Sequence, residues 1–227
     1  MKRNMSYSLI NSADCMKKLY YYMNRTAGRS GPAAERGTKI HKALETYHLE
    51  FVDPKLVPDE EPLNLSNKEL KAFRVALEKY KELRDGIGFK FGPETKLEFE
   101  KAGMPVTGVF DLFLNDGTVY DWKFPNSPWN PYKLADYTNK QAWYYFWLLE
   151  EFQPQQMTFS VIDFETFTLE EFVVPVDWEV VKQKLTEWQN LADSIRSAEF
   201  MEHWPASPGP QKCGWCNYKK ICEESQA

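Results

Sequence analysis

The sequence lacks any apolar run long enough to cross a membrane. Its longest run, residues 142–149, has eight residues, whereas a membrane-spanning helix needs about 20. The N-terminus has no apolar stretch typical of a secretory signal, and the chain contains neither an internal repeat nor a low-complexity segment. We therefore expect a cytoplasmic protein that does not associate with membranes.

Cysteine and histidine are both scarce, with four and three residues among 227. The cysteines are Cys15, Cys213, Cys216 and Cys222. Two disulfides would be unusual inside a cell, and the close spacing of Cys213 and Cys216 favours metal binding. Four thiolates without a nearby histidine suit either a zinc site or an iron–sulfur cluster. The residues by themselves leave both open.

The net charge and the distribution of charge give opposite indications about a nucleic-acid partner. A net charge of −5 argues mildly against a nucleic-acid partner. Residues 1–40, however, carry eight basic and two acidic side chains, and clustered basic charge can attract phosphates. An aromatic content of 15% fits either a dense core or base-stacking surfaces, so composition does not decide the function.

The succession of hydrophobic patterns predicts an α/β protein. Helices come first, then a hairpin, a further helix, more strands and a last helix, which is typical of a mixed central sheet flanked by helices. Ser66 and Glu69 form a capping box, and Asp177 is suited to cap the last helix. The predicted helices are 8–24, 33–50, 67–85, 133–152 and 178–198, and the predicted strands are 94–101, 105–114, 118–124, 157–163 and 169–174.

The most informative stretch is a hairpin with charged side chains on one face. Residues 115–117, Asn-Asp-Gly, fit a three-residue loop whose glycine is left-handed, and this loop places Asp111 opposite Asp121. Alternation then puts the apolar side chains on one face, suited to a core. Asp111, Asp121 and Lys123 share the other face.

Facing carboxylates repel each other across a hairpin, and a divalent cation would relieve that repulsion. Mg²⁺ prefers carboxylate oxygens and retains waters and substrate phosphates as ligands. Lys123 could orient or activate a water, or stabilise charge on a phosphate. The alternative is a solvated face with an ordinary Asp–Lys pair, and this stretch alone does not choose between them.

This hairpin resembles the motif of the PD-(D/E)XK nuclease superfamily. Asp111 matches the first acid, and residues 121–123 match the second acid, the spacer and the lysine. The residue before Asp111 is Phe110 rather than proline. In the RecB-like branch a glycine, two residues and an aspartate are common instead, as from Gly108 to Asp111.

Two further motifs resemble that branch. Residues 37–41, Gly-Thr-Lys-Ile-His, match its glycine-to-histidine motif, and residues 141–145 match its Gln-x-x-x-Tyr motif. With the cysteines, the matches run from residue 15 to residue 222. The resemblance therefore covers nearly the whole chain and implies a restriction-endonuclease-like core.

The resemblance implies a metal site that binds one or two Mg²⁺ or Mn²⁺ ions, with Lys123 assisting the reaction. The implied ligands are His41, Asp111, Asp121 and the carbonyl of Trp122. Glu98 or Glu100, on the strand before the hairpin, is a candidate for one more carboxylate, and the sequence does not choose between them.

The same resemblance implies that Gln141 and Tyr145 touch DNA or shape the active site. The two residues lie one helical turn apart on one face. Without the other motifs they would be read as packing residues.

The spacing of one isolated and three clustered cysteines resembles the iron–sulfur members of the RecB-like branch. It implies a [4Fe–4S] cluster, in preference to zinc, bound by Cys15, Cys213, Cys216 and Cys222. Such a cluster would close a loop of roughly two hundred residues and so constrain the unfolded chain. We expect one nuclease domain, 1–227, in which 1–32 and 200–227 form a cluster lobe and 33–199 the catalytic core.

The implied function is hydrolysis of DNA phosphodiester bonds. The RecB-like branch includes the CRISPR-associated nucleases of spacer acquisition, which implies exonuclease action on single-stranded ends, with 5′ to 3′ the favoured direction. One alternative is a catalytically weak DNA-binding or adaptor protein on the same scaffold, docking to an integrase or recombination partner. Another is a metal-cluster protein without nuclease activity. The intact set of His41, Asp111, Asp121 and Lys123 favours the enzyme.

Overall fold

The structure is a computed structural model that describes residues 4–26, 31–52, 65–209, 213–214 and 216–223. The chain divides into two compact units. The terminal unit comprises Met1–Ser30, Glu98–Gly108 and Asp177–Ala227, and the core unit comprises Gly31–Leu97 and Val109–Val176. Within the described residues, no helix combines the length and the apolar character needed to span a bilayer.

Seven α-helices and seven strands are described. The helices are α1 (Tyr7–Ser12), α2 (Met16–Met23), α3 (Pro32–Val52), α4 (Asn67–Gly86), α5 (Pro131–Tyr137), α6 (Trp143–Leu148) and α7 (Trp178–Met201). The strands are β1 (Phe89–Phe91), β2 (Thr95–Lys101), β3 (Met104–Phe110), β4 (Leu112–Leu114), β5 (Thr118–Lys123), β6 (Gln156–Ile162) and β7 (Leu169–Pro175).

Most predicted elements are present, but the first helix is not continuous. The segment expected as one helix over 8–24 forms α1 and α2, separated at residues 13–15. Ser12 and Asp14 favour turns over helix interiors because their side chains compete for backbone hydrogen bonds. Cys15 then adopts an extended conformation as the N-cap of α2. The break thus gives Cys15 a fixed place at a helix start.

The predicted caps are confirmed. Ser66 and Glu69 form a complete capping box at the start of α4. The Asp177 carboxylate accepts hydrogen bonds from the backbone N–H groups of Glu179 and Val180, at 3.0 and 3.2 Å, at the start of α7. These bonds satisfy amide groups that have no partner within the helix.

The core unit contains a mixed five-stranded sheet in the order β1-β4-β5-β6-β7, and β2 pairs with β3 in a separate two-stranded sheet. In the larger sheet only β5 and β6 are parallel; the other neighbours are antiparallel. Leu112 pairs with Tyr120 and Phe113 with Val119, which confirms the hairpin register expected from the loop at 115–117. Strand β1 was not predicted.

Helices cover both faces of this sheet. On one face, Ile40 and Leu44 of α3 and several residues of α4 pack against Leu112, Tyr120 and Trp122. On the other face lies α6, all of whose residues are buried. The expected apolar face is therefore in the core, but the opposite face is covered too. Parallel pairing of β5 with the distant strand β6 requires a crossover connection, and α6 in that connection is buried. Asp111 and Asp121 are accordingly 7% and 5% exposed.

The connection from β5 to β6 is less regular than the single helix predicted over 133–152. Helix α5 passes into a π-helical turn at Thr138–Ala142, then into α6 and a 3₁₀ turn at Glu150–Phe152. A π-turn inserts an extra residue and often occurs at functional sites. Here it contains Gln141, whose surroundings are described next.

Candidate active site

His41 enters the site from the middle of α3. Its neighbours Ile40 and Leu44 are buried in the core, so the helix is held against the sheet. The His41 ring lies edge-on to Phe124, with centroids 5.5 Å apart. Its Nδ1 is 2.9 Å from Oδ1 of Asp111 and 3.2 Å from Oε1 of Glu94. Helix packing thus directs an imidazole nitrogen at two carboxylates.

Asp111 lies at the bend between β3 and β4. Its Oδ2 accepts a hydrogen bond of 2.5 Å from the backbone N–H of Trp122. Burial acts to raise the pKa of Asp111, but the adjacent His41, Lys123 and the Trp122 amide outweigh it and lower that pKa. Asp111 is therefore held as a charged carboxylate. The structure places the Trp122 amide at this site, and the expected role of its carbonyl stays a prediction.

Glu94 is the site residue that the sequence did not indicate. Its carboxylate, the Asp111 carboxylate and the His41 ring supply ligand atoms that lie within 4.8 Å of one another. Glu98 and Glu100, the candidates from the sequence, are not in this group. The site carboxylate instead comes from the turn that precedes β2. Asp121 is not in this group either, so its expected role as a metal ligand stays a prediction.

The turn that carries Glu94 is held against α3. A side-chain carbon on Gly92 would lie 2.4 Å from Nε2 of His48, so a larger residue there would require His48 to move. Thr95 Oγ1 donates a 2.7 Å hydrogen bond to the Gly92 carbonyl, and Glu94 adopts a left-handed φ of 54°. A glycine-proline turn before a strand was the available signal, but it does not show which side chain points inward.

Asp121 and Lys123 form an ion pair at the end of β5. Lys123 Nζ lies 2.5 Å from Oδ2 of Asp121. Burial raises the pKa of Asp121, opposed by Lys123 and reinforced by the neighbouring charge of Asp111. Burial would lower the pKa of Lys123, but the attraction of Asp121, Tyr137 and Asp111 raises it. Lys123 is therefore positively charged at neutral pH.

Gln141 holds the other oxygen of Asp121. Its Nε2 donates a 2.5 Å hydrogen bond to Asp121 Oδ1, and the residue is 2% exposed. The Tyr145 hydroxyl, one turn later, donates to the carbonyl of Val109, and Tyr145 is 5% exposed. In this structure both residues therefore support the site from α6 and the π-turn. Their expected contact with DNA stays a prediction.

The donor set fits a hard divalent cation. One imidazole nitrogen and several carboxylate oxygens suit Mg²⁺ or Mn²⁺ better than a thiophilic metal. Gln141 Oε1 is buried and, in the described part of the chain, accepts no hydrogen bond, so it is available to a water. A cleft of about 420 Å³, lined by His41, Glu94 and Asp111 among others, opens this group to solvent.

In the terminal unit, the four cysteines line one cavity, together with Tyr21 and Tyr218 among others. The Ser207 backbone N–H lies 3.4 Å from Cys15 Sγ, and that of Gly209 lies 3.5 Å from Cys213 Sγ. Such N–H groups stabilise negative sulfur. The four thiols and the donors aimed at two of them suit a thiolate-bound metal centre.

Segments at both ends of the chain support this cavity. The Lys17 amide donates to the Pro205 carbonyl at 3.2 Å, and the Tyr21 hydroxyl donates to the Ile221 carbonyl at 3.3 Å. The Tyr21 and Tyr218 rings are 5.3 Å apart. Helix α2 and the C-terminal segment therefore hold the four cysteines around one space.

Comparison with known proteins identifies a superfamily and a similar fold. The family model of the PD-(D/E)XK nuclease superfamily matches residues 6–223. The fold is similar to that of a candidate exonuclease from Eubacterium rectale, with a TM-score of 0.61, 12% identity and coverage of 99% of this chain and 88% of that chain.

An alkaline exonuclease from Laribacter hongkongensis has a TM-score of 0.47 and 12% identity, over 88% of this chain and 91% of that chain. No curated protein shows significant sequence similarity to this chain. The likeness to solved structures therefore concerns the fold.

Proposed function

Because the chain belongs to the PD-(D/E)XK nuclease superfamily, we propose that it hydrolyses DNA phosphodiester bonds with Mg²⁺ or Mn²⁺. The observation that carries this proposal is the contact of His41 Nδ1 with Asp111 Oδ1, 2.9 Å apart. This contact lies beside the Asp121–Lys123 pair. The family model establishes the superfamily, and the arrangement of these side chains supports activity over a scaffold that has lost it.

In this proposal His41, Asp111, Asp121 and the Trp122 carbonyl bind the cation, and Glu94 adds a carboxylate. A bound divalent cation supplies Lewis-acid stabilisation of the phosphate and lowers the pKa of a coordinated water. Gln141 keeps the Asp121 carboxylate in position through its amide.

Lys123 stabilises negative charge on the phosphate. Its pKa is raised by Asp121. At neutral pH Lys123 is therefore a positively charged hydrogen-bond donor and a poor proton acceptor. An ammonium that is fixed where charge develops stabilises a transition state without reorganising. This assigns Lys123 an electrostatic role rather than that of a general base.

The proposed substrate is a single-stranded DNA end. The protein would act on it as an exonuclease that prefers the 5′ to 3′ direction. The support is the resemblance of residues 37–41 and 141–145 to the RecB-like branch, which includes CRISPR-associated nucleases. Anaerobically purified protein given strands labelled at one end or the other should release the 5′ label first, as short products. Early release of the 3′ label would reverse the polarity, and internal cuts in circular strands would exclude a strict exonuclease.

We also propose that Cys15, Cys213, Cys216 and Cys222 bind a [4Fe–4S] cluster in a lobe formed by 1–32 and 200–227, with 33–199 as the catalytic core. The shared cavity and the amide groups aimed at two sulfurs support this. When bound, the cluster would serve as a structural link between the chain ends. Iron and sulfide analysis tests it, and stoichiometric zinc without iron would replace the cluster by a zinc site.

The competing proposal is a DNA-binding or adaptor protein on the same scaffold. It predicts that protein with a filled cluster binds DNA without cutting it. An integrase or recombination partner and a cytoplasmic location also stay predictions from the sequence. The intact His41, Asp111, Asp121 and Lys123 set favours the nuclease.

A further inference from the structure

Tyr132 is unusually exposed for an aromatic residue of the core unit. Its side chain is 88% exposed, although it lies near the start of α5, nine residues before Gln141. Neither the fold nor the metal site needs an aromatic ring in solvent at this position. A single exposed ring is ordinary on a protein surface, so a role in binding depends on the residues around Tyr132.

The segment that carries Tyr132 is packed against the sheet by an aromatic cluster. Trp129 is 9% exposed, stacks on Tyr137 with centroids 4.7 Å apart and also contacts Phe159 and Phe172. Asn130 caps α5 by accepting the Lys133 amide at 2.9 Å. Because Trp129 and the Asn130 cap already hold this segment in place, a ligand that contacts Tyr132 loses little free energy to ordering the protein.

Tyr137 connects this segment to the site. The Lys123 Nζ lies 5.1 Å from the centroid of the Tyr137 ring, and the Lys133 Nζ lies 5.3 Å from the same centroid. The two ammonium groups are therefore within about 10 Å of each other. A backbone whose phosphate meets Lys123 can extend a neighbouring phosphate to Lys133, next to Tyr132.

We propose that Tyr132 stacks on an unpaired base of the DNA strand and that Lys133 binds a phosphate of that strand. This inference rests on the proposed nuclease function and identifies a determinant of its substrate. Aromatic rings bind single strands by stacking on exposed bases, and basic groups follow the backbone. In a blunt duplex the bases already stack on each other, so Tyr132 selects single-stranded ends.

The test is fluorescence anisotropy of labelled oligothymidylate, and of a blunt duplex, in EDTA so that neither is cut. Tyr132→Ala should weaken single-strand binding roughly five- to a hundred-fold and leave duplex binding unchanged. Tyr132→Phe should bind as the wild type does, because it keeps the ring. Lys133→Gln should reduce the slope of log affinity against log salt by about 0.7.

The matched control is Phe200→Ala, which removes a side chain that is 90% exposed in the terminal unit. It should bind both DNAs as the wild type does. Equal affinity of Tyr132→Ala and wild type for the single strand, equal losses on both DNAs, or a Tyr132→Phe loss as large as that of Tyr132→Ala would each overturn the inference.

The failures of the two proposals can be told apart. If the wild type cuts single strands with Mn²⁺ while Tyr132→Ala binds and cuts them equally well, the stacking inference fails and the nuclease stands. If the wild type neither binds nor cuts DNA, both fall.

Discussion

Metal binding at this site should depend steeply on pH because His41 must first lose a proton. Burial acts to lower the pKa of His41, but attraction and hydrogen bonds from Asp111 and Glu94 raise it to about 10. In the metal-free protein at neutral pH the ring is therefore charged. A cation needs the lone pair of the neutral ring, so binding releases this proton.

The magnitude follows from the pKa. Each pH unit below the pKa of His41 costs about 1.4 kcal/mol of binding free energy, so at pH 7 the penalty is about 4 kcal/mol. We expect Mn²⁺ affinity to rise about tenfold per unit between roughly pH 7 and pH 9. The stability of the metal-free protein should instead fall as the pH rises.

The fall in stability of the metal-free protein follows from the raised pKa of His41. A raised histidine pKa stabilises the folded state fully below its unfolded value near 6.5, and this contribution is lost as the pH rises through about 10. Without metal, the His41 contribution to the free energy of unfolding should therefore decrease between these values.

Isothermal titration of Mn²⁺ at several pH values, in buffers of different ionisation enthalpy, measures both affinity and proton release. About one proton should leave per bound ion. His41→Asn should remove the pH dependence, whereas His203→Asn, in the terminal unit, should keep it. Affinity that does not change with pH in the wild type would refute the reasoning.

Two further predictions concern the support of the site. Gly92→Ala should lower the free energy of unfolding by about 1–3 kcal/mol, since its new carbon would lie 2.4 Å from His48. Gly37 lies within a helix, and a carbon added there would have no neighbour within 4 Å. Gly37→Ala should therefore raise the free energy of unfolding by up to about 1 kcal/mol. Urea denaturation measures both, and equal effects would contradict the close contact. Gln141→Ala should weaken Mn²⁺ binding by about tenfold or more, because Asp121 loses the amide that holds it, and unchanged calorimetric affinity would contradict that positioning role.

The hairpin register could be predicted because its determinants are local. Gly117 has the left-handed φ of 86° that the loop requires, and the Asp116 side chain accepts the Thr118 amide at 2.9 Å. Loop type therefore fixes the pairing within a few residues. The same locality explains why the caps at Ser66 and Asp177 were predictable.

The burial of Asp111 and Asp121 could not be predicted in this way. It results from β5 pairing in parallel with β6, more than thirty residues later, and from α6 covering that face. Alternation within one hairpin describes its two faces but does not show what covers each of them. The same limit applies to the π-turn, since no local pattern marks the extra residue that brings Gln141 to Asp121.

Glu94 shows a different limit. Its role depends on the contact between Gly92 and His48, two turns further along the helix that carries His41. Glu98 and Glu100 were the natural candidates because they lie on the strand before the hairpin. Only the packing of the turn against α3 shows which carboxylate meets His41.

The central claim is hydrolysis of DNA by the site at Asp111 and Asp121. The most direct test is digestion of end-labelled single- and double-stranded DNA with Mn²⁺, Mg²⁺ or EDTA by the wild type and by Asp121→Asn, with Asp193→Asn as control because Asp193 pairs with Arg196 on the surface. We predict metal-dependent cutting by the wild type and by Asp193→Asn, and none by a folded Asp121→Asn protein. Cutting that survives in Asp121→Asn, or its absence in metal-loaded wild type, would contradict the account.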